Sequence, residues 1–470
     1  MMSLPAVALS LALPSLPPDE PQTPRAPVPD YTQEIHDNRS YAIPAAEIVV
    51  FDTLLNLWDR HYFGCCDFDS NIHTVRRNLR SSWVVDRDPF LVNQLGHPYQ
   101  GSIYHGIARS AGLNYWEGLG YTFLASAMWE IAGETTPPSR NDQINTGIGG
   151  SFLGEALFRM ASLTLEHPGD MKKWQREVIA TLISPPVGFN RLAFDRFRLI
   201  YPSRDPLYFI RAQAGFSGQA DNRNETGTST TKLRTKEALV DFLIDYGLPG
   251  KPGYQYTRPF DYFSFQATAS SANGFESAFT RGLLLGRSYD VGSRYHGVWG
   301  LYGSYDYIAP QNYRVSSTAL SLGTTAQWWI DDRWRLVGTV LLGVGYTAAG
   351  TTGAREPDPS LDNDFQYGVA PQALAVMRFV YRDQAAIDLA GREYYVTRVG
   401  GRSDGKSNNI ARLEAALTYR VSGHHAVSLR YLFNQRDADL FGLGDRSQRR
   451  ATVGIFYTYL GRDGFGAEKR

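Results

Sequence analysis

Apolar and polar residues alternate with a period of two over the second half of the chain, from about residue 205 onward. In residues 411–420 one face is apolar and the other is largely charged or hydroxyl-bearing. The apolar set is Ala411, Leu413, Ala415, Leu417 and Tyr419, and the opposite set is Arg412, Glu414, Ala416, Thr418 and Arg420. Successive side chains of a β-strand point to opposite sides, so this pattern predicts a strand with one apolar face. A tilted strand of about ten residues is long enough to cross a membrane.

Twelve such segments follow one another along the chain. They are predicted at about 206–217, 235–245, 260–269, 277–288, 297–308, 314–329, 334–347, 366–380, 385–398, 409–420, 425–435 and 449–459, and 366–380 is apolar on both faces. Short turns such as 331–333 alternate with longer polar loops such as 349–364 and 436–448. Bacterial outer-membrane barrels are built this way, with an even number of strands. We therefore predict an antiparallel outer-membrane-type β-barrel of about 12 strands. The alternative is a soluble all-β sandwich or barrel, which uses the same alternation.

The first half of the chain follows a helical period instead. An amphipathic helix is predicted at 44–63, and three further helices at about 98–111, at about 116–134 and from Ser139 onward. Ser139, with Asp142 three residues later, forms a capping-box-like start for the last of these helices. That helix carries small residues near one face, where another backbone can approach closely. These residues are Gly147, Gly150, Ser151 and Gly154.

The N-terminal residues are typical of an exported protein. Residues 4–13 form an uncharged apolar run that is too short to cross a bilayer as a helix, and the Pro-rich residues 17–30 follow closely. We interpret 1–30 as a signal peptide with a truncated start, together with a Pro-rich linker. The remaining chain is predicted to have a mixed fold. A helical domain or plug at 31–200 is followed by the β-barrel at 201–470.

Composition narrows the class of protein further. The net charge is zero, so no nucleic-acid partner is indicated. The mean hydropathy of −0.31 is low for a polytopic helical membrane protein but suits a barrel, because only alternate strand residues face lipid. The 28 Tyr and 9 Trp fit the aromatic belts of such barrels. Cys65 and Cys66 are adjacent, which disfavours a disulfide between them, and they lack zinc-ligand spacing.

Polar residues are scattered among the long apolar stretches of residues 97–166. Buried charges are costly unless they are paired, so we predict that these residues form either a functional site or an ion-pair network. The candidates for catalysis are His105, Glu130 and Asp142. The candidates for a binding site or structural network are His97, Arg109, Glu134, Asn141, Glu155 and Arg159. Histidine and carboxylate groups can bind a divalent metal or transfer protons, and no other cofactor is indicated. In the ion-pair alternative, Arg109 and Arg159 neutralise Glu130, Glu134 or Glu155.

The same stretch resembles a known family. The motifs are HPYQG…YH…ARS, WE…GE, PS-x-ND and GG…LGE, together with PPVGFNRL at 185–192. As a set, over about residues 85–200, they resemble the uncharacterised bacterial family called domain of unknown function 3943. This resemblance implies an envelope protein and no assigned activity. The order Glu130, Asn141, Asp142, Gly147 and Gly154 is similar to VanZ-like membrane proteins, although there the Asp precedes the Asn, and no function is carried over.

Two hypotheses of function follow. In the first, the chain is an outer-membrane protein of a Gram-negative bacterium, and the helical region plugs the barrel lumen or docks beneath it in the periplasm. Its role would be envelope structure or passage of small solutes. In the second, it is an outer-membrane enzyme acting on a lipid or envelope substrate, with a His/Glu/Asp site. Outer-membrane lipid is the expected partner, and no protein partner is indicated.

Overall fold

A computed structural model describes residues 38–63, 66–86, 88–166, 171–198, 200–224, 235–351, 365–397, 407–440, 444–461 and 463–466. The predicted signal peptide and linker at 1–30 lie outside the described residues, as does Cys65.

Helices precede the barrel. They are α1 Ala42–Phe63, α2 Ile72–Asn78, α3 His97–Ser110, α4 Tyr115–Met128, α5 Arg140–Ile144, α6 Gly150–Glu166, α7 Lys173–Ile183 and α8 Pro185–Ala193. Single π-helical turns lie at Val92–Gly96, Trp129–Gly133 and Asn145–Gly149. The helix predicted from Ser139 onward is confirmed, because the Ser139 side chain accepts a hydrogen bond from the backbone N–H of Asp142 and caps α5. Among the described helices, none combines the length and apolar character needed to traverse a bilayer.

Twelve strands follow and close into one antiparallel barrel, in which β1 also pairs with β12. They are β1 Tyr208–Asn224, β2 Lys236–Tyr246, β3 Phe263–Ser270, β4 Gly274–Val291, β5 Tyr295–Ile308, β6 Tyr313–Trp329, β7 Trp334–Thr351, β8 Phe365–Tyr381, β9 Ala385–Thr397, β10 Ser407–Ser422, β11 His425–Leu440 and β12 Gly444–Leu460. The predicted barrel of twelve strands is confirmed. The predicted loop at 436–448 is wrong over most of its length. Strands β11 and β12 continue into this segment, because its polar residues pair with each other across the two antiparallel strands.

The two faces of the barrel wall differ in chemistry. In β10, Leu413 and Leu417 are 51% and 49% exposed, whereas Arg412, next to Leu413 along the strand, is 3% exposed. In β11, Leu429 is 52% exposed and Arg430 is 5% exposed. The outer face is therefore apolar and the inner face is charged and polar, which is the arrangement of a barrel that stands in lipid.

Side chains bridge the lumen between strands that are not neighbours. The bridges include Arg378–Asp245 at 3.2 Å, Arg211–Asp388 at 3.5 Å and Tyr394–Asp306 at 2.7 Å. They join β8 to β2, β1 to β9, and β9 to β5. Because these strands lie on different sides of the barrel, the bridges cross the lumen.

The helical region packs against the outer face of the barrel wall. In β5, Trp299 is 55% exposed, and the alternation places Gly303 and Tyr305 on the same outer face. A Cβ atom at Gly303 would overlap the ring of Phe152 in α6. The hydroxyl of Tyr305 donates a hydrogen bond to the backbone carbonyl of Gln94. These contacts therefore lie outside the lumen.

The neighbouring strand β6 also contacts the helical region through its outer face. In β6, Leu320 and Leu322 are exposed on the outer face, and Thr318 on that face contacts Gly149. The sequence analysis placed the helical region either inside the lumen or beneath the barrel. In the structure the helical region contacts the outer face of the barrel wall. Alternation could not reveal this, because side chains that face lipid and side chains that face a packed helix are both apolar.

Helices α3 and α6 pack together through glycines. A Cβ atom on Gly150 would lie 2.6 Å from the Cα of Gly101, and one on Gly154 would lie 2.8 Å from the Cβ of His105. Gly147 instead faces the ring of Phe123 in α4, at 2.9 Å. The absence of side chains at these positions lets the two helices approach at backbone distance.

We expect Gly154→Leu to destabilise the helical region by about 1–3 kcal/mol, because a leucine has no room against α3. Limited proteolysis of the purified protein in detergent measures this as faster cleavage. Gly120→Leu is the matched control, since no atom lies within 4 Å of a Cβ atom placed there. Equal protease resistance of the two variants would contradict the close packing of α3 and α6.

Candidate metal centre

Three side chains from separate helical segments converge beside the barrel wall. His97 begins α3, Glu130 lies in the π-helical turn Trp129–Gly133, and Asp142 lies in α5. One nitrogen or oxygen atom from each residue lies within 4.8 Å of the others. The three residues are 5%, 2% and 1% exposed, respectively. The fold thus brings the buried imidazole of His97 close to the buried carboxyl groups of Glu130 and Asp142.

Each of these residues lies in or next to a π-helical turn. The turn Val92–Gly96 ends directly before His97, and Trp129–Gly133 contains Glu130. The turn Asn145–Gly149 follows the short helix that carries Asp142. Such turns are rare and occur frequently at functional sites. The extra residue in each π-helical turn rotates the residues that follow it about the helix axis. The direction of these side chains therefore could not be predicted from a regular period of 3.6 residues.

Hydrogen bonds position the carboxyl groups but leave part of the imidazole without a partner. The backbone N–H of Ser139 donates to Glu130 at 2.8 Å, and the side-chain amide of Asn141 donates to Asp142 at 3.0 Å. The Nε2 atom of His97 lies 3.8 Å from Asp142 Oδ1. The buried Nδ1 atom of His97 has no hydrogen-bond partner among the described residues. An imidazole in this state can serve as a metal ligand.

The electrostatic surroundings are acidic. Burial and the nearby Glu134 raise the pKa of Glu130 well above its usual value, and burial and Asp86 do the same for Asp142. Burial lowers the pKa of His97, which favours the neutral, metal-binding form. Among the described residues, no Lys or Arg forms an ion pair with Glu130, Glu134 or Asp142. The cluster therefore has acidic groups in excess and lacks a balancing cation.

Tyr367 connects this cluster to the barrel. It lies on the outer face of β8, and its hydroxyl accepts hydrogen bonds from Asn141 at 2.9 Å, Gln94 at 2.8 Å and Asn93 at 3.3 Å. Asn141 also donates to Asp142. The barrel wall thus fixes the residue that orients one of the candidate ligands, so the cluster depends on docking of the helices against β8.

The donor set fits a divalent metal ion. One imidazole nitrogen and two carboxylate oxygens are ligands that zinc and similar divalent ions accept. Two features support the fit, namely the position of His97 Nε2 beside Asp142 and the excess of buried carboxyl groups. A bound ion would act as a Lewis acid and would lower the pKa of a coordinated water.

The structure does not bring together the predicted catalytic set of His105, Glu130 and Asp142. The Nε2 atom of His105 instead lies 3.1 Å from a carboxylate oxygen of Glu155. His97 takes the place beside Glu130 and Asp142. The two histidines are eight residues apart on one helix, which separates them by about 12 Å along its axis and by a large rotation.

Glu155 is the centre of a buried ion-pair network. Arg109 donates to it from Nε at 2.6 Å and from Nη2 at 3.2 Å, and Arg159 donates from Nε at 2.8 Å. Burial acts to raise the pKa of Glu155, but Arg109, His105 and Arg159 together hold that pKa well below its usual range. Arg159 also reaches Asp261, between β2 and β3, at 3.1 Å. The ion-pair alternative is therefore confirmed for Glu155.

The pairing of Arg109 with Glu130 or Glu134 is wrong. Arg109 is fully engaged by Glu155 and by the backbone carbonyl of Leu113. The side chain of Glu134 accepts a hydrogen bond from the indole N–H of Trp129 at 2.8 Å instead.

Sequence reasoning missed Tyr201, Asp261 and Tyr367. The ring of Tyr201 lies 4.8 Å from the guanidinium of Arg109 and 4.9 Å from that of Arg159, which adds cation–π attraction to the network. The sequence carried no signal for Tyr367, because it follows the same alternation as the lipid-facing residues of β8, such as Val369.

Solved structures similar to this chain are outer-membrane barrels. The NanC porin is 9% identical with a TM-score of 0.27, and the match covers 53% of this chain and 98% of that chain. An outer membrane channel from Pseudomonas putida F1 is 7% identical with a TM-score of 0.28, covering 55% and 96%. The outer membrane channel DcaP of Acinetobacter baumannii is 8% identical with a TM-score of 0.24, covering 54% and 96%. No curated protein matches the sequence.

The closed barrel, its apolar outer face and its charged interior are those of an outer-membrane β-barrel protein. The cluster of His97, Glu130 and Asp142 falls within the one stretch that matches a family model. Residues 82–186 of this outer-membrane protein match the family described as Domain of unknown function (DUF3943), the family that its motifs resemble.

Proposed function

We propose that this protein is a barrel-anchored metal-binding protein of the outer membrane. In this proposal, His97, Glu130 and Asp142 hold one divalent ion, and the barrel fixes the helical region in place. The observation that carries the proposal is the convergence of these three buried groups without any Lys or Arg paired to them in the described residues. Ionised carboxylates buried without a counter-charge are costly, and a divalent cation removes that cost.

The contacts across the lumen support an anchoring role for the barrel. Arg378 and Asp245, for example, join β8 to β2 at 3.2 Å. Passage of small solutes, the other role that the sequence left open, would require such contacts to separate.

A second candidate function is that of a metal-dependent enzyme acting on a lipid or envelope substrate. It is favoured by the position of the cluster outside the barrel wall, next to Tyr367, rather than inside the lumen. Glu130, whose pKa is raised by burial and by Glu134, is the candidate group to donate a proton in such a reaction. His97 and Asp142 would hold the ion that supplies an activated water.

We expect the purified full-length protein in detergent to bind about one divalent ion per chain after removal and reloading of metal. Binding is measured by elemental analysis and by titration with Zn²⁺ and Mn²⁺. Asp142→Asn removes an anionic ligand but keeps the shape of the side chain. It should weaken binding by at least about 100-fold, because even changes outside the ligand set cost 10–100-fold.

Asp52→Asn is the matched control. Asp52 is also a buried carboxyl group of the helical region, 8% exposed, but it accepts a hydrogen bond from Tyr104 and takes no part in the cluster. This variant should bind metal as the unmodified protein does. The proposal fails if the unmodified protein takes up no ion, or if Asp142→Asn binds as tightly as Asp52→Asn.

A further inference from the structure

Helix α1 has several polar residues on its inner side, beside the buried Ile48, and large apolar residues on its outer side. Asp52 accepts a hydrogen bond from Tyr104, and Asn56 and Arg60 donate to backbone carbonyls of the helical region. On the opposite face the exposed side chains are Val50, Leu54, Leu57 and Trp58. A surface helix of a soluble domain has the reverse arrangement, with its apolar stripe against the core and its charges in water.

Helices α3 and α4 show the same inversion, whereas α2 exposes Arg76 and Arg77. Between residues 91 and 135, all of which are described, no exposed residue is charged. The most exposed large side chains there are Leu91, Tyr99, Trp116, Phe123 and Leu124. In α7 and α8 they are Trp174, Val178, Leu182, Phe189 and Leu192. Charged groups such as Glu155 and Arg159 are instead paired in the interior. In proteins within membranes, ionisable side chains face the interior of the bundle and pair there.

These apolar faces continue the outer face of the barrel. Thr318 of β6 contacts Gly149, and the next outward residue of that strand, Leu320, is 49% exposed. In β8, Tyr367 is bound by the helical region, and the next outward residue, Val369, is 39% exposed. The helices therefore adjoin the lipid-facing wall directly, one outward residue away along the strand.

We propose that the hydrocarbon of the outer membrane covers the exposed apolar faces of the helical region. We call the surface formed by Val50, Leu54, Leu57, Phe123, Leu124 and Leu182 the helical lipid face. The helices would lie within the bilayer beside the barrel without crossing it singly. Continuity with the barrel wall favours lipid over a second copy of the chain, because the outward residues next to the helices, Leu320 and Val369, belong to the lipid-facing wall. This inference goes beyond metal binding and does not depend on it.

The test measures where single spin labels lie in the full-length protein, reconstituted in phospholipid vesicles. Labels are attached to Leu54→Cys, Leu124→Cys and Leu182→Cys in a chain with Cys65→Ser and Cys66→Ser. Leu417→Cys on β10 is the lipid control, and Asp332→Cys in the exposed turn between β6 and β7 is the water control. Power saturation reports collision with oxygen, which enters lipid, and with a polar nickel chelate, which does not.

We expect labels at positions 54, 124 and 182 to collide with oxygen as the label at 417 does. Their collision with the nickel chelate should be roughly tenfold below that at 332, since polar groups are excluded from hydrocarbon. Collision with the chelate at the level of position 332 would place this face in water and overturn the proposal. Immobile labels that neither reagent reaches would place a protein partner or a second copy there, which overturns it as well. If one variant fails to assemble, Val50→Cys, Phe123→Cys or Val178→Cys tests the same face.

Discussion

Glu155→Gln should lower the free energy of unfolding of the helical region by about 3–5 kcal/mol. The substitution keeps the size of the side chain but removes the negative charge that Arg109 and Arg159 share. Arg109 and Arg159 are 4% and 2% exposed, so they would remain buried without this partner. Removing one member of a buried ion pair is more damaging than removing both, because the remaining charge keeps its desolvation cost. Thermal unfolding and limited proteolysis of the purified protein measure the loss.

Glu177→Gln is the matched control for this prediction. Glu177 pairs with Arg191 at 2.8 Å in the same helical region, but its side chain is 34% exposed. An exposed ion pair of this kind contributes only about 0–1 kcal/mol. Adding Arg109→Met to Glu155→Gln should recover part of the stability, whereas adding Arg109→Met to Glu130→Gln should not. Equal stability of Glu155→Gln and Glu177→Gln would show that the network does not hold the helices together.

Leu417→Arg should impair assembly of the barrel by about 2–4 kcal/mol, because it places a charge on the lipid face near the middle of the bilayer. Leu417 is 49% exposed on the outer face of β10. The measurement is the fraction of protein that migrates as the folded, heat-modifiable form after refolding into lipid vesicles.

Val421→Arg controls for the charge itself. Val421 lies on the same face of the same strand, but it is close to the turn that joins β10 to β11 and is 65% exposed. A charge near the membrane surface costs only about 0–1 kcal/mol. Thr418 is not a neutral control for the lumen side, because it is 1% exposed and shares a hydrogen bond with Ser428. Equal refolding of Leu417→Arg and Val421→Arg would contradict the assigned lipid face.

The sequence by itself determined the number of strands, the side of each strand that faces outward, and the approximate positions of the central helices. These features follow from periodicity, which is a local property: side chains alternate along a strand and return every 3.6 residues along a helix. The N-terminal cap of α5 at Ser139 could be predicted for the same reason, since a cap depends on residues only three positions apart. The polar loop at 436–448 was misjudged because strand pairing there is decided by the partner strand.

Only the tertiary structure decided which polar residues meet. His97 rather than His105 joins Glu130 and Asp142, and Arg109 pairs with Glu155 rather than with Glu130. Such pairings depend on the rotation and depth of each helix relative to its neighbours, and π-helical turns change that rotation without a signature in the sequence. The placement of the helices outside the barrel was likewise decided by packing, because an apolar side chain is compatible with lipid and with another protein surface alike. Charge distribution across the assembled helices, and not their composition, distinguishes the two environments.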